Sequence, residues 1–382
     1  MTARLPTDLL DRSADEASRL LALTYLDEAA VAESRLADPL DTEALHDFRV
    51  GLRRLRSCTR AYRTELQGSV SKRMRRRLRK LTLATNAGRD AEVHLGWLRN
   101  QAGRLGPEHT EGLAWLIGRL EGRRSETLET VTLDVGRQFK KVAARFRPRL
   151  GILRIEVGRG RGSARPTFRQ ATAELIRRHA AELGEYLKAV RTQEHMKEAH
   201  QARIAAKRLR YLLEPLVRRA AGTKGLTTQL KGLQDVLGQL HDMHVMSEEI
   251  ASSLTALPQR SAQGPSGAEP GLRALERLAN EQELSAFASF EAHWGDQSGS
   301  RFFDRADELS RTLALRATFV GPNLVRKKFQ SVAQSAQAVS PRSPSTPSLT
   351  MIGAIASAEI GSAHHQPSRV FSATPARAMT DK

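Results

Sequence analysis

The chain holds 382 residues, with 61 Lys+Arg against 42 Asp+Glu and a formal net charge of +19. That excess calls for an anionic partner, and 40% hydrophobic residues at this length suffice for a real core in one large domain or two smaller ones. One cysteine, Cys58, excludes an intramolecular disulfide and a cysteine-rich zinc site; the opening residues carry no apolar signal core, and no run reaches the roughly 18 apolar residues of a membrane span. These features predict a soluble, cytoplasmic protein with no membrane insertion. The cations are 49 Arg and 12 Lys. Such a bias suits two-pronged recognition of phosphate, and a GC-rich genome would produce it equally.

In chain order, Leu20, Leu21, Leu23, Leu26, Ala30 and Val31 recur at three- and four-residue spacing with acids between them, which predicts an amphipathic helix from Ala14 to Leu36. The same periodicity predicts helices near 42–66, 69–87, 89–103, 109–146, 167–192, 196–220, 225–239, 241–257, 270–293 and 299–315. No segment alternates as a strand would, so the fold class is all-α. Gly, Pro and Ser cluster at Val157 to Pro166, which reads as a hinge, and at Pro258 to Gly271, which reads as an insertion loop. The Pro- and Ser-rich chain after about Ala338 reads as a disordered tail.

An internal repeat organises these helices. His46 to Arg56 and His200 to Arg210 both fit a template of His followed by a basic residue at +3, +7, +8 and +10. A second pair of landmarks, Asn86 to Val93 and Leu237 to Val245, follows at nearly the same offset. At about 100° per residue, His46, Arg49, Arg53, Arg56 and Arg60 share one helix face, opposite Phe48, Leu52, Leu55 and Cys58. The same projection groups His200, Arg203, Lys207 and Arg210 opposite Ala202, Ala205, Leu209 and Leu212, with Glu214 where the first half has Arg60. The next helix adds Lys72, Arg75, Arg76 and Arg79 on one face, whereas its counterpart keeps only Lys224 and Lys231. Stripes facing inward would line a cationic saddle whose self-repulsion is relieved by a polyanion. The alternative is a pair of solvated faces neutralised by neighbouring helices.

On these strings, and on Leu233 to Asp242, the sequence resembles the CHAD domain family over roughly residues 15 to 315. The resemblance implies two antiparallel helical bundles related by a pseudo-twofold, spanning 15–148 and 167–320 with a linker at 149–166, an N-terminal tail at 1–14 and a C-terminal tail at 321–382. It also implies a basic central surface that binds inorganic polyphosphate, and association with polyphosphate granules. Many relatives carry a CYTH triphosphatase domain ahead of this one; its Glu-x-Glu-x-Lys strand does not occur here, which implies a stand-alone binder.

The expected polyphosphate site comprises the two stripes, the four cations of the 69–87 helix, Lys231 and, from the second landmark, Arg89. For His46 and His200 two roles stay open: donating to phosphate when protonated below about pH 6.5, or a helix-terminal hydrogen bond. Other polyanions, nucleic acid included, would suit the same charge. Aromatic residues make up only 5%, which weighs against a single-strand binder built on stacking. His241, Asp242 and His244 invite a metal reading, but their spacing puts only two ligands near one face; Asp242 reads instead as a helix cap or first-turn acid, as does Asp90. Gly158 to Gly162 reads as linker. No phosphate-cradling loop and no magnesium-holding acidic cluster occurs, and Cys58 lies among packing positions, so neither catalysis nor a cofactor is expected.

Overall fold

The computed structural model describes residues 5–38, 40–41, 43–85, 89–151, 166–257, 267–295 and 297–315, with side chains for all of these except 89–90, 124–133 and 297–298. The hinge at Val157 to Pro166, apart from Pro166 itself, and the tail after Ala338 lie outside the described residues, as does the side chain of Arg89. The described chain is helical throughout: α1 (Ala14–Arg35), α2 (Ala44–Ala61), α3 (Lys72–Ala84), α4 (Arg89–Gln101), α5 (Thr110–Gly151), α6 (Phe168–Ala189), α7 (Met196–Leu213), α8 (Thr223–Ala256), α9 (Ala268–Trp294) and α10 (Gln297–Leu315). No named strand occurs among the described residues, only an isolated bridge between Ser13 and Thr167.

Local chemistry starts several of these helices where they begin. Thr167 and Gln170 form a capping box at α6, and the Ser71 hydroxyl accepts from the Met74 N–H at α3. In α1, Asp15 and Glu16 stand in the first turn and Arg35 in the last, each on the side the helix dipole favours. Beside the Ser13–Thr167 bridge, the Ala14 N–H donates to the Pro166 carbonyl at 3.0 Å and the Phe168 N–H donates to the Arg12 carbonyl at 2.8 Å. The helices that leave this junction, α1 and α6, each run 22 residues.

The apolar faces expected from periodicity are the buried ones. Phe48, Leu52, Leu55 and Cys58 of α2, Met74, Leu78 and Leu81 of α3, and Ala202, Ala205, Leu209 and Leu212 of α7 all enter the main core. Helices α1 and α2 approach so closely that a Cβ at Gly51 would lie 2.9 Å from the Ala29 Cα. A second core joins Leu95 and Leu98 of α4, Leu113, Leu116 and Leu120 of α5, Met243, Met246 and Ile250 of α8, and Leu272 and Leu275 of α9. Both cores therefore draw on residues from before and after the midpoint of the chain.

Several boundaries differ from expectation, among them the end of α7, which falls at Leu213 instead of 220. The helices predicted at 225–239 and 241–257 are one helix, α8, because Leu230, Leu233, Leu237, Leu240, Met243, Met246 and Ile250 carry a single buried stripe through the expected break. Gly238 costs such a helix only about 1 kcal/mol, too little to end it. Asp242 is accordingly a mid-helix residue and caps nothing. Helix α2 stops at Ala61 instead of extending to 66, and α9 begins at Ala268, so the insertion loop closes earlier than Gly271.

Candidate functional site

Helices α2 and α7 pack against each other, and contacts between them join the C-terminal parts of the two predicted stripes. Arg53 Nε donates to the Tyr211 hydroxyl at 3.3 Å. Arg54 Nε donates to Glu214 Oε2 at 3.0 Å, and its Nη1 reaches Glu28 of α1 at 3.3 Å. Glu214 uses its other oxygen for Arg210 Nη1, also at 3.0 Å. This carboxylate thus neutralises a cation from each sequence half.

Past Glu214 the balance changes. Arg56 is half-buried, and its pKa is lowered first by loss of water and then by three other guanidinium groups, Arg60, Arg79 and Arg208. Arg60 is lowered likewise by desolvation and then by Arg208, with Glu182 opposing and Arg79 adding to the effect. Among the described residues the side chains of Arg56, Arg60 and Arg79 make no hydrogen bond or ion pair, while Arg208 is held by Glu182 at 2.7 Å. Four arginines from three helices converge here. Four like charges with only Glu182 to offset them cost stability, so such a cluster fits a role as a receptor for anions better than one in stability.

The remaining expected site residues divide into three groups. Lys72, Arg76 and Arg79 on α3 are exposed and extend the cluster outward, and Lys231 on α8 and His46 at the start of α2 are also exposed. Arg75, half-buried, donates from Nη1 to the Val70 carbonyl at 2.6 Å, which turns it back onto the chain just before its own helix. Arg49, Arg203 and Arg210 are committed to protein partners. Arg49 is only 6% exposed; its Nε donates to the Thr85 carbonyl at 2.6 Å and its Nη1 to Glu92 at 3.2 Å, tying α2 to the end of α3 and to α4. Arg210 donates to Gln234 of α8 at 3.0 Å and lies over the Tyr211 ring, 4.9 Å from its centre. Arg203 stands 4.0 Å from Asp242. Periodicity put Arg49 on the cationic face; the close approach of α3 and α4 to α2 turns its guanidinium into the protein.

His200 packs against His241 with ring centres 5.0 Å apart. Its pKa is lowered, first by burial and then by the charges of Arg203 and Lys207, so it is neutral over more of the acidic range than an ordinary histidine. Cys58 is buried, and burial pushes its thiol pKa far up, which removes any nucleophilic role. No group of three or more His, Cys, Asp or Glu placed to hold a metal occurs among the described residues.

Arg208 and Tyr211 were absent from the expected site. Arg208 is the +8 residue of the repeat template, but the helical projection places it between Ile204 and Leu212 and away from the stripe, and only the approach of α2 brings it to Arg60. A separate groove between α6 and α9–α10, lined by Leu187, Phe290, Trp294 and Phe303, balances Arg177, Lys188 and Arg191 against Glu185, Glu291, Asp304 and Asp307, so it offers no cationic field.

Comparison with known proteins agrees with this architecture. The family model for the CHAD domain matches residues 21–251. The crystal structure of the CHAD domain from the plant Ricinus communis superposes with a TM-score of 0.55 at 19% identity, covering 78% of this chain and 96% of that one. PptA from Streptomyces chartreusis superposes with a TM-score of 0.57 at 14% identity, covering 75% of this chain and all of that one. At these identities the likeness is one of fold. No curated protein sequence matches the chain.

Proposed function

Because the chain belongs to the CHAD domain family, a family associated with polyphosphate binding, we propose that it binds inorganic polyphosphate where α2, α3 and α7 meet. The observation that carries this reading is the convergence of Arg56, Arg60, Arg79 and Arg208 with no acid bonded to the first three. Polyphosphate carries about one charge per phosphate and no base edges, so it is held by forked guanidinium donors without any sequence-reading code. Arg56, Arg60, Arg79 and Arg208 form the centre of the site, and Arg53, Arg76, Lys72 and Lys207 extend it. Arg49 and Arg210 position the helices that carry these groups.

The site lies between two halves related by a pseudo-twofold. The reciprocal bonds of Ala14 with Pro166 and of Phe168 with Arg12 support this relation, because a shift of 154 residues, the separation of His46 from His200, exchanges them. The pairs Arg54–Glu28 and Arg208–Glu182 support it too, since the same shift converts one into the other. The protein acts as a binder and not as an enzyme, and it resides in the cytoplasm at polyphosphate granules. Among the described residues no helix is long and apolar enough to cross a membrane.

The test is a competition titration in which labelled long-chain polyphosphate is displaced by unlabelled polyphosphate or duplex DNA at matched phosphate concentration and about 0.15 M salt, where weak electrostatics are screened. Polyphosphate is expected to compete at least about tenfold better, and the pair Arg56→Ala with Arg60→Ala to weaken binding by a similar factor. Equal competition by DNA would mean a general polyanion binder. Full retention of affinity in the double variant would move the site elsewhere.

A further inference from the structure

Helix α3 carries seven cations and no acid: Lys72, Arg73, Arg75, Arg76, Arg77, Arg79 and Lys80. Its buried residues Met74, Leu78, Leu81 and Thr82 occupy one side, so the cations spread over the remaining arc of about 200°. Arg79 stands at the edge next to α2, where it meets Arg56. Arg77 lies about 160° around the helix from it, at the edge next to α5. A single surface does not account for both edges.

Helix α5 has the complementary asymmetry. From Val135 to Gly151 it contains no acid. Its cations on the side facing α1 are paired, Lys140 with Glu33 at 3.5 Å and Arg147 with Asp27 at 2.6 Å. Lys141 and Arg145, about 100° to 140° around the helix from Lys140, are exposed and make no ion pair or hydrogen bond among the described residues. Arg73 and Arg77 of α3 are equally unpartnered. Helices α3 and α5 pack together through a shared core that holds Leu78 and Leu81 of one and Val142 and Phe146 of the other, which brings Arg77 close to Arg145; the pKa of Arg77 is accordingly lowered chiefly by the charge of Arg145, then by desolvation and by Arg73. Among the described residues no acid pairs with the cations on the other side; Asp134, on that side about two turns before Lys141, accepts from Gln138 at 2.5 Å.

We propose that Arg73 and Arg77 of α3 with Lys141 and Arg145 of α5 form a second polyanion-binding face, on the far side of α3 from the α2–α7 site, that holds a separate segment of polyphosphate. Each pair is spaced at i,i+4, about 6 Å along its helix, which makes a two-rail ladder suited to an extended chain of charges more than to a single compact anion. This inference rests on the polyphosphate reading for its ligand. Its consequence is that one molecule joins two polyphosphate segments, as a granule-associated binder would need to do to cross-link chains.

Calorimetric titration of the full chain with a polyphosphate too short to reach both faces tests it. Two binding events are expected: Arg77→Ala with Arg145→Ala removes one, and Arg56→Ala with Arg60→Ala removes the other. Long-chain polyphosphate should cloud the wild-type protein near charge balance and fail to cloud either double variant. Arg77→Lys with Arg145→Lys, which keeps the charge, should retain most of the second event; thermal melting of every variant controls for folding. A single event that Arg77→Ala with Arg145→Ala leaves unchanged overturns the second face and leaves the α2–α7 site standing. A single event lost only in Arg77→Ala with Arg145→Ala overturns the α2–α7 site instead. No binding at all overturns both. If duplex DNA displaces the second event as readily as polyphosphate does, the ladder is a general nucleic-acid surface and the proposed ligand is wrong.

Discussion

Arg54 and Glu214 are bonded at 3.0 Å across α2 and the end of α7, and the residues that a 154-residue shift puts in their place, Arg208 and Arg60, are two cations that repel each other. The same junction is thus an ion pair at one end of the site and a positive cluster at the other. Polyphosphate affinity should concentrate at the Arg60 end. Glu214→Gln removes the carboxylate shared by Arg54 and Arg210 and leaves Arg54 with Glu28 alone. Affinity is expected to rise several-fold, with a loss of about 1 kcal/mol in stability, since these groups are partly solvated. Parallel titration with polyphosphate and urea unfolding of the variant measure the two effects.

Arg49 behaves oppositely. Its guanidinium is buried on the Thr85 carbonyl and Glu92, so Arg49→Ala leaves a buried acceptor and a half-buried acid without their donor. A loss of about 2 to 3 kcal/mol is expected, while polyphosphate affinity of the folded fraction changes less than about threefold. Denaturation combined with binding measured well below the melting temperature separates the two. A large affinity loss in a fully folded variant would make Arg49 a direct ligand.

His200 carries part of the acid-side pH dependence, and His179 of α6, whose pKa burial also lowers, carries another part. The folded pKa of His200 lies below the ordinary 6.5, so the unfolded chain binds the proton more readily and stability contributed by neutral His200 is lost as pH falls from about 6.5 through the folded value. A bound polyanion offsets Arg203 and Lys207 and favours the imidazolium, so binding should take up protons and tighten over that same window. His200→Gln should reduce both trends. Proton uptake measured by calorimetry in buffers of different ionisation enthalpy reports the second directly, with His241, whose ring packs on His200, mutated separately as a control.

The α1–α2 contact sets where the α2 stripe points. A Cβ at Gly51 would fall 2.9 Å from the Ala29 Cα, so Gly51→Ala must push the helices apart. A destabilisation of about 1 to 3 kcal/mol is expected. Because Arg53 and Arg54 follow directly, the Arg53–Tyr211 and Arg54–Glu214 bonds should weaken with it, and polyphosphate affinity should fall. Because the atoms that the new Cβ meets include the backbone Cα and N of Ala29, Ala29→Gly in the Gly51→Ala background should restore little of either, as read by melting temperature and titration.

What the sequence by itself determined is the class of the fold and the sides of its helices. Period 3.6 separates Phe48, Leu52, Leu55 and Cys58 from the arginines of α2 with no knowledge of any neighbour, because burial of an apolar face is a property of one helix. The repeat at His46 and His200 was legible for the same reason. Only the tertiary structure decided which cations are available. Arg49 and Arg56 share a stripe, yet one is spent on Thr85 and Glu92 while the other faces three arginines. Arg208, off the stripe of its own helix, joins the cluster because α2 lies alongside. Continuity of α8 through Asp242 likewise follows from the cores on either side of it, which outweigh the local signals for a cap. Charge availability is a sum over neighbours brought together from distant parts of the chain, and periodicity within one helix contains no term for it.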